Sequence, residues 1–478
     1  MSRIDTYLAR NPRTGEEDYT FPLPTEEDLQ KLCDALRKEQ SHWASQGVEA
    51  RIGALQAWKA EAQSKMDDLV AALAHDTGRR AESLLEAQLL LSSIERWCGI
   101  ARDFFAEKTT RPSSVPFIEI HQETVPYPLV GIISPWNFPL LLSIIDAIPA
   151  LLAGCAVVVK PSEITPRFIE PLQASIDAVP GLSSVFRYVA GDGQTGERLL
   201  PKLDLICFTG SVATGKKVYK SAAEHFIPCF LELGGKDPAL VFEGADLDQA
   251  SSSILWGSCV NCGHSCLSIE RVYVQESIFD EFVERLTAKA RAIRLAWPEM
   301  ENGELGPIIS ARQADILNAH LKDALDKGAT LHCGDNACQS LGGGLWLRPT
   351  VLSQVHHGML VMTEETFGPI IPVMPFRNTE EALRLANSTQ FGLSAAVFAA
   401  TWQEAEHIGL HIEAGAVSIN DCALTAIIHE GEKQSFKYSG MGGTRMGPGA
   451  LRRFFRQKAM IVKKAGVVSP WWWKPQAP

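Results

Sequence analysis

The chain has 478 residues, 46% hydrophobic and 21% charged, which is too long for one simple core and excludes a disordered or fibrous protein. Its 45 Lys and Arg against 56 Asp and Glu leave a formal net charge of −11, so no basic footprint for DNA or RNA is present. Met1 to Arg10 is polar and lacks the positive start and apolar stretch of a secretory signal, which leads us to expect a cytoplasmic protein whose 11 cysteines are mostly small buried residues.

In chain order, the first hundred residues are helical in pattern, with apolar residues at three and four spacings predicting helices over Glu26–Gln40, Glu49–Lys65 and Met66–Ala74 that suit a packed outer layer. Asp103 to Pro116 reads as a turn-rich connector. Phe117 to Val125 alternates as a strand with one wet face and suits a subunit interface. The apolar stretch Phe138 to Val159 reads as a buried helix and strand, not a membrane span. Pro139, Asp146, Pro149 and Gly154 interrupt it and no basic flank orients it.

From Leu129 the rhythm changes. Short apolar runs at Leu129–Ser134, Ala156–Lys160, Val185–Ala190, Leu203–Thr209 and Ala239–Phe242 alternate with helical segments, as a parallel sheet with covering helices requires. A second α/β region runs from about Gly234 to Met446, with a strand at Ser268–Val274, a helix at Ile278–Ala296, and further alternation near Ile370–Val373 and Ala395–Phe398. A strand at Met460–Val468 and the tail Trp471-Trp472-Trp473 close the chain. Three adjacent Trp without a basic cluster suit a latch onto this protein or a partner subunit.

One cluster carries reactive chemistry. Cys259-Val260-Asn261-Cys262-Gly263-His264-Ser265-Cys266 could bind zinc, but no second Cys/His pair follows at zinc-finger spacing. Cys259 and Cys262 fit inert buried thiols, and no metal is expected. Cys266 is a nucleophile candidate if a positive field and oxyanion donors surround it. Asn137, in Ser134-Pro135-Trp136-Asn137-Phe138-Pro139, is an amide at the carboxyl end of a parallel strand, the edge where ligands sit in open α/β sheets. Glu232, in Leu231-Glu232-Leu233-Gly234-Gly235-Lys236, is either half of a structural ion pair or a general base. The residue pattern alone leaves both readings open.

Seven motifs stand in order: Asn11-Pro12-Arg13-Thr14-Gly15-Glu16, Pro135-Trp136-Asn137-Phe138-Pro139, Lys160-Pro161-Ser162-Glu163, Phe208-Thr209-Gly210-Ser211, Leu231-Glu232-Leu233-Gly234-Gly235-Lys236, Gly263-His264-Ser265-Cys266 and Glu365-Thr366-Phe367-Gly368-Pro369. In order and spacing the chain resembles the aldehyde dehydrogenase superfamily over nearly its whole length. The resemblance implies an α/β fold with a Rossmann-type cofactor domain (1–108 and 127–233), an α/β catalytic domain (234–446) and a small β oligomerisation element with a C-terminal tail (109–126 and 447–478).

By the same resemblance Cys266 is the nucleophile, Asn137 and the Cys266 N–H form the oxyanion hole, and Glu232 is the base for hydrolysis. NAD is the expected cofactor, with NADP used more weakly. Lys160 and Glu163 would contact its adenosine ribose, Ser211 and Trp136 its pyrophosphate region, Glu365 its nicotinamide ribose and Phe367 the nicotinamide, with Ser162, Gly210 and Leu233 also in the cofactor site. Gly191-Asp192-Gly193-Gln194-Thr195-Gly196 has the spacing of a phosphate loop, but the helix opening at Ser211 is the better phosphate site. The partners implied are a small-molecule aldehyde and further copies of the chain, as a homodimer or homotetramer.

Three features depart from the family pattern. His264 stands where Gln is usual, Asp146 where many members carry Lys, and His429–Gly440 lacks the common Pro-Phe-Gly-Gly at the substrate mouth; the first two receive no role from the resemblance. The presence of Glu232 argues against an acylating enzyme that passes the acyl group to CoA, and the set Cys266, Glu232 and Asn137 argues against a silent binding protein. Leu140, Leu141, Leu142, Ile145 and Leu267 lie beside Asn137 and Cys266 in sequence, so an apolar or aromatic aldehyde is expected, unless these residues serve only helix packing.

Overall fold

The computed structural model describes residues 5–107 and 109–464. The stretch Asn11–Glu16 is the turn of a hairpin, β1 (Thr6–Arg10) and β2 (Glu17–Pro22), which the helical periodicity did not reveal. Gly15 turns the chain at φ 78°, open to a residue without Cβ. From the same turn Arg13 donates to the carbonyls of Gly78 and Ala296, at 3.3 and 3.0 Å.

Four helices follow: α1 (Glu26–Ser45), α2 (Val48–Ser64), α3 (Met66–Thr77) and α4 (Arg80–Ala106). Thr25 and Asp28 form a capping box at the start of α1. The helix runs past the expected end at Gln40 because Trp43, one turn on, still faces the core. The fourth helix lies beyond the three expected ones and enters the expected connector before β3 (Thr110–Pro112) and β4 (Ile118–Pro126).

The first sheet comprises β5 (Leu129–Ile133), β6 (Ala156–Lys160), β7 (Phe186–Tyr188), β8 (Leu205–Thr209) and β9 (Cys229–Glu232), all parallel. Between β5 and β6 the long apolar stretch folds as two short helices, α5 (Pro139–Ile144) and α6 (Ala147–Ala153). No helix among the described residues is long and apolar enough to cross a membrane. After β6 come α7 (Ile169–Asp177), α8 (Gly193–Leu199) and α9 (Val212–Glu224). The strand order is β9-β8-β5-β6-β7. The chain winds outward from β5 through β6 and β7, then crosses back to β8. Strand order therefore reverses between β5 and β8, which opens a crevice at their carboxyl ends.

The second sheet begins with β10 (Asp237–Val241), which the alternation had grouped with the first series, and continues through α10 (Leu247–Cys259), β11 (Ile269–Gln275), α11 (Phe279–Ala292) and α12 (Ala311–Asp326). The helix expected over Ile278–Ala296 ends at Ala292. Then come β12 (Thr330–Cys333), the small hairpin β13 (Gln339–Leu341) and β14 (Gly344–Trp346), β15 (Thr350–Ser353), β16 (Ile370–Phe376), β17 (Phe391–Gly392), β18 (Ser394–Phe398) and β19 (Ala416–Ile419). The order β12-β15-β16-β11-β10-β18-β19 places β10 and β11 inside the sheet. Each sheet has its own buried core.

The last segment returns to both sheets. β20 (Phe436–Lys437) pairs with β17, and β21 (Gly440–Met441) pairs antiparallel with β9. Residues 440 and 441, which the sequence placed in the second region, thus add a strand to the first sheet. β22 (Phe455–Lys463) lies antiparallel along the whole of β4, and β3 flanks β4 on the other side. Of the strands expected at Phe117–Val125 and Met460–Val468, which had no evident partner within the chain, residues 460–463 pair with residues 118–121. Residues 465–468 and the Trp471–Trp473 tail lie outside the described residues.

Candidate active site

The carboxyl ends of β5, β6, β8 and β9 carry Asn137, Lys160, Gly210 with Ser211, and Glu232 along one edge of the first sheet. Cys266 lies in the turn just before β11, on the amino side of the second sheet. Two glycines bring these edges together. A Cβ on Gly235 would stand 2.3 Å from the Cys266 carbonyl oxygen, and one on Gly234 would stand 2.4 Å from a Glu365 oxygen. Only hydrogen fits at Gly235, which meets backbone, while a Cβ at Gly234 would displace the Glu365 carboxylate.

Asn137 is buried, and its amide nitrogen donates to the His264 carbonyl at 3.0 Å. Asn261 braces the pair, donating to the Asn137 carbonyl at 2.8 Å and the His264 carbonyl at 2.9 Å. Asn137 keeps a second N–H. Among the described residues nothing accepts a hydrogen bond from the Cys266 backbone N–H. Two unspent donors thus stand at the Cys266 loop. The helix after Asn137 is anchored by Glu86, whose carboxylate accepts from Leu140 N and Leu141 N at 3.0 and 2.9 Å. Burial pushes the Glu86 carboxyl up to about 8 despite these donors.

The Cys266 side chain is half-buried, whereas Cys259 and Cys262 are enclosed in the second core. Burial pushes the Cys266 thiol up to about 12; Lys433 pulls it down, while Glu365, Asp237 and Glu232 push it further up. Glu232 itself is half-buried at the end of β9 and accepts a hydrogen bond from the Ser435 hydroxyl at 2.8 Å. Ser435 and Lys433 belong to the segment that lacks the family's Pro-Phe-Gly-Gly. No local pattern marked either as a site residue.

Trp136, His264 and Phe367 form one aromatic cluster. Trp136 meets His264 and Phe367 edge-on, with centroids 5.1 and 5.4 Å apart. The Trp136 ring is therefore engaged on the Cys266 side of the site. His264 is fully buried with neither ring nitrogen hydrogen-bonded, and burial lowers it well below the usual His range. Phe367 adopts φ 53°, a conformation that costs a bulky residue energy and must be enforced. Glu270 enforces it by accepting from Thr366 N and Phe367 N, each at 2.7 Å, and Lys236 anchors Glu270 at 2.8 Å. Glu365, next in the loop, accepts from Gly235 N at 3.1 Å, and burial pushes its carboxyl up to about 8.

Lys160, Ser162, Glu163, Gly210 and Ser211, assigned to the cofactor by the resemblance, stand at or just after the carboxyl ends of β6 and β8. Ser211 caps α9, leaving the first turn's remaining N–H groups pointing outward. Lys160 is buried at the end of β6; its ammonium donates to the Pro161 carbonyl and to Glu163, at 2.9 and 3.2 Å, and burial lowers its pKa. A third ammonium proton and the Glu163 carboxylate remain for a ribose diol. Ser162 is buried beside them, and Leu233 packs with Phe208 and Leu231 below Gly210. By contrast Gly191–Gly196 is a helix start: Asp192 caps α8 through Thr195 N. This donor set fits a dinucleotide at the β5/β8 switch point.

Asp146, at the junction of α5 and α6, binds two arginines from the C-terminal segment, Arg445 at 2.6 Å and Arg453 at 3.3 Å. Burial alone would raise its carboxyl, but the two guanidinium groups outweigh burial and hold it below the usual carboxylate range. Arg445 also donates to Thr209 at the end of β8, at 2.8 Å. The C-terminal segment is thereby tied to the cofactor edge.

A doubly wound sheet opens its carboxyl edge toward a half-buried cysteine, an arrangement that accommodates a dinucleotide beside a thiol nucleophile. The chain belongs to the aldehyde dehydrogenase family, whose model matches residues 2–460. It is 37% identical to 4,4'-diapolycopene aldehyde oxidase of Methylomonas sp, over 90% of this chain and 80% of that one. It is 32% identical to the chloroplastic betaine aldehyde dehydrogenase of Beta vulgaris, over 97% and 94% of the two chains. A solved structure from Anabaena variabilis, described as an aldehyde dehydrogenase, is 54% identical with a TM-score of 0.96, covering 98% of this chain and 100% of the other. Betaine aldehyde dehydrogenase of Staphylococcus aureus, solved in complex with NAD+, is 28% identical with a TM-score of 0.91, covering 98% and 94%.

Proposed function

We propose that the chain oxidises an apolar or aromatic aldehyde to its carboxylic acid, with NAD as cofactor and a thioester on Cys266. The convergence of Cys266, the spare Asn137 N–H and Glu232 between the two sheet edges carries this reading. The Cys266 thiol gives up its proton to solvent water, and the thiolate sulfur bonds to the aldehyde carbon as the C=O π bond opens onto oxygen. The resulting oxyanion meets the second Asn137 N–H and the Cys266 N–H, donors already in place before the charge develops. NAD, when bound, supplies the hydride acceptor. Glu232 then takes a proton from water, the hydroxyl adds to the acyl carbon, and the C–S bond breaks to release the acid and restore Cys266.

The apolar preference is supported by exposure along α5. Leu140 and Ile144 are fully buried and serve packing, whereas Leu141, Leu142, Ile145 and Leu267 remain partly open beside Asn137 and Cys266. The relative named for 4,4'-diapolycopene aldehyde agrees with this preference. A second reading, an aldehyde bearing a carboxylate, is favoured by the Lys433 charge facing Cys266, and the Mycolicibacterium smegmatis relative is named for succinate semialdehyde.

Absorbance at 340 nm with both nucleotides and a panel of long apolar, aromatic, betaine and succinic aldehydes tests both points. The apolar and aromatic aldehydes should give the higher kcat/KM; a preference for the succinic compound would transfer the proposal to the second reading. NAD should be preferred because the Glu163 carboxylate repels a 2′-phosphate, and Glu163→Gln should narrow the gap. Equal efficiency with NAD and NADP would sink that argument.

We also propose that the β3-β4-β22 sheet is completed by another copy of the chain. Met460 and Ile461 are exposed on β22, and among the described residues β3 and β22 are the outer strands of this small sheet. Light scattering should find a dimer or tetramer; an active monomer at micromolar concentration would refute this.

A further inference from the structure

We propose that Ser435 is a positioning residue for the hydrolytic half of the reaction, its hydroxyl holding the Glu232 carboxylate in the orientation from which it accepts a proton from water. This inference rests on Glu232 being the base. Its geometric core is the 2.8 Å hydrogen bond from Ser435 Oγ to Glu232 Oε2, the one side-chain hydrogen bond made by Glu232 among the described residues.

The two partners are 203 positions apart in sequence, yet each is fixed by backbone pairing. Glu232 ends β9, where it is in register with Gly440 of β21, and the following Leu233 N–H donates to the Ser439 carbonyl at 2.8 Å. Ser435 directly precedes β20, which pairs with β17 of the other region. The Gly392 N–H donates to the Ser439 hydroxyl at 2.9 Å, and a Cβ on Gly415 would stand 1.9 Å from the Gln434 carbonyl oxygen. Residues 434–441 are therefore clasped by both regions at once. Ser435 is delivered to Glu232 by a rigid segment.

The chemistry requires such a partner. A glutamate has three side-chain torsions, and a half-buried one at a strand end is free to turn away from the acyl carbon. A single neutral donor restricts it while leaving the second carboxylate oxygen open to water. A lysine in place of Ser435 would hold the carboxylate more tightly but would weaken it as a base. Among the described residues, the charged or titratable groups facing Glu232 include Arg445, from the segment after β21, and Cys266, from the turn before β11. Lys433, two residues before Ser435, faces Cys266 and Asp237. Arg445 is already committed to Asp146 and Thr209. Ser435 is thus the group free to orient the base.

The test uses the full-length enzyme and the variants Ser435→Ala, Ser435→Thr and Glu232→Gln, with rapid mixing of aldehyde and NAD. In Ser435→Ala, kcat should fall about tenfold with the KM values for aldehyde and NAD within about twofold of wild type. A pre-steady-state burst of NADH should appear, because deacylation alone is slowed. Ser435→Thr keeps the hydroxyl and should restore the rate. In the Glu232→Gln background the Ser435→Ala change should add nothing.

A wild-type rate for Ser435→Ala, while Glu232→Gln still accumulates acyl-enzyme, would overturn the role of Ser435 and leave Glu232 as the base. An equal fall in burst and steady-state rates, unrescued by threonine, would reduce Ser435 to a packing residue. Wild-type turnover by Glu232→Gln would remove the base and this inference together.

Discussion

Cys266→Ala should abolish aldehyde oxidation, lowering turnover by roughly 10⁴-fold or more, because no other group among the site residues can form the covalent adduct. The fold should survive. Cys266 is half-buried in a turn, so the lost sulfur leaves no core cavity, and the thermal midpoint should stay close to wild type. Cys259→Ala and Cys262→Ala should instead keep most activity while losing some stability, since both side chains fill the second core. Burial pushes the Cys266 thiol up to about 12, so the neutral thiol predominates in the free enzyme near neutral pH. Alkylation of wild-type Cys266 by iodoacetamide should therefore quicken about tenfold per pH unit between about pH 7 and 9, because the thiolate fraction grows at that rate below the pKa. A flat alkylation profile would mean a thiolate already formed. Residual oxidation by Cys266→Ala above a few per cent would place the nucleophile elsewhere.

Glu232→Gln should separate the two halves of the reaction. The amide keeps the shape of the side chain and removes its basicity, so attack by Cys266 and the first hydride transfer should persist. General-base assistance contributes about 10²–10⁴-fold, and steady-state turnover should fall by that factor. Rapid mixing with aldehyde and NAD should give a burst of NADH approaching one per competent site and then a nearly flat line. Mass spectrometry should find the acyl group on Cys266 during the flat phase. A shrunken burst would show that Glu232 also receives the Cys266 proton. Unchanged turnover without acyl-enzyme would make Glu232 a structural carboxylate.

Much of this was legible in local sequence because the governing physics is local. The apolar runs at Leu129, Ala156 and Leu205 became strands, since a strand buried on both faces must be apolar along its length. The Gly-Gly after Glu232 was visible as part of a motif, but the close approach of Cys266 and Glu365 that it permits appeared only in the structure. The signature Asn11–Glu16 was visible as a motif, whereas its hairpin was not, because two short strands supply too little periodicity to compete with the helical pattern downstream.

Other features depend on how two sheets meet. Asp146 meets Arg445 across 299 residues, and its departure from the family's usual Lys acquired a meaning only when both arginines stood against it. β10 read as a continuation of the first series because alternation records that a strand is buried, not which sheet buries it. Sequence by itself determined the family, the two α/β regions, and Cys266, Glu232 and Asn137 as the candidates for chemistry, because motif residues and periodicity are properties of short stretches. Only the tertiary structure decided that residues 440–441 extend the first sheet, that β4 and β22 pair, and that Ser435 and Lys433 face Glu232 and Cys266. Those contacts join residues whose separation in sequence carries no information about their separation in space.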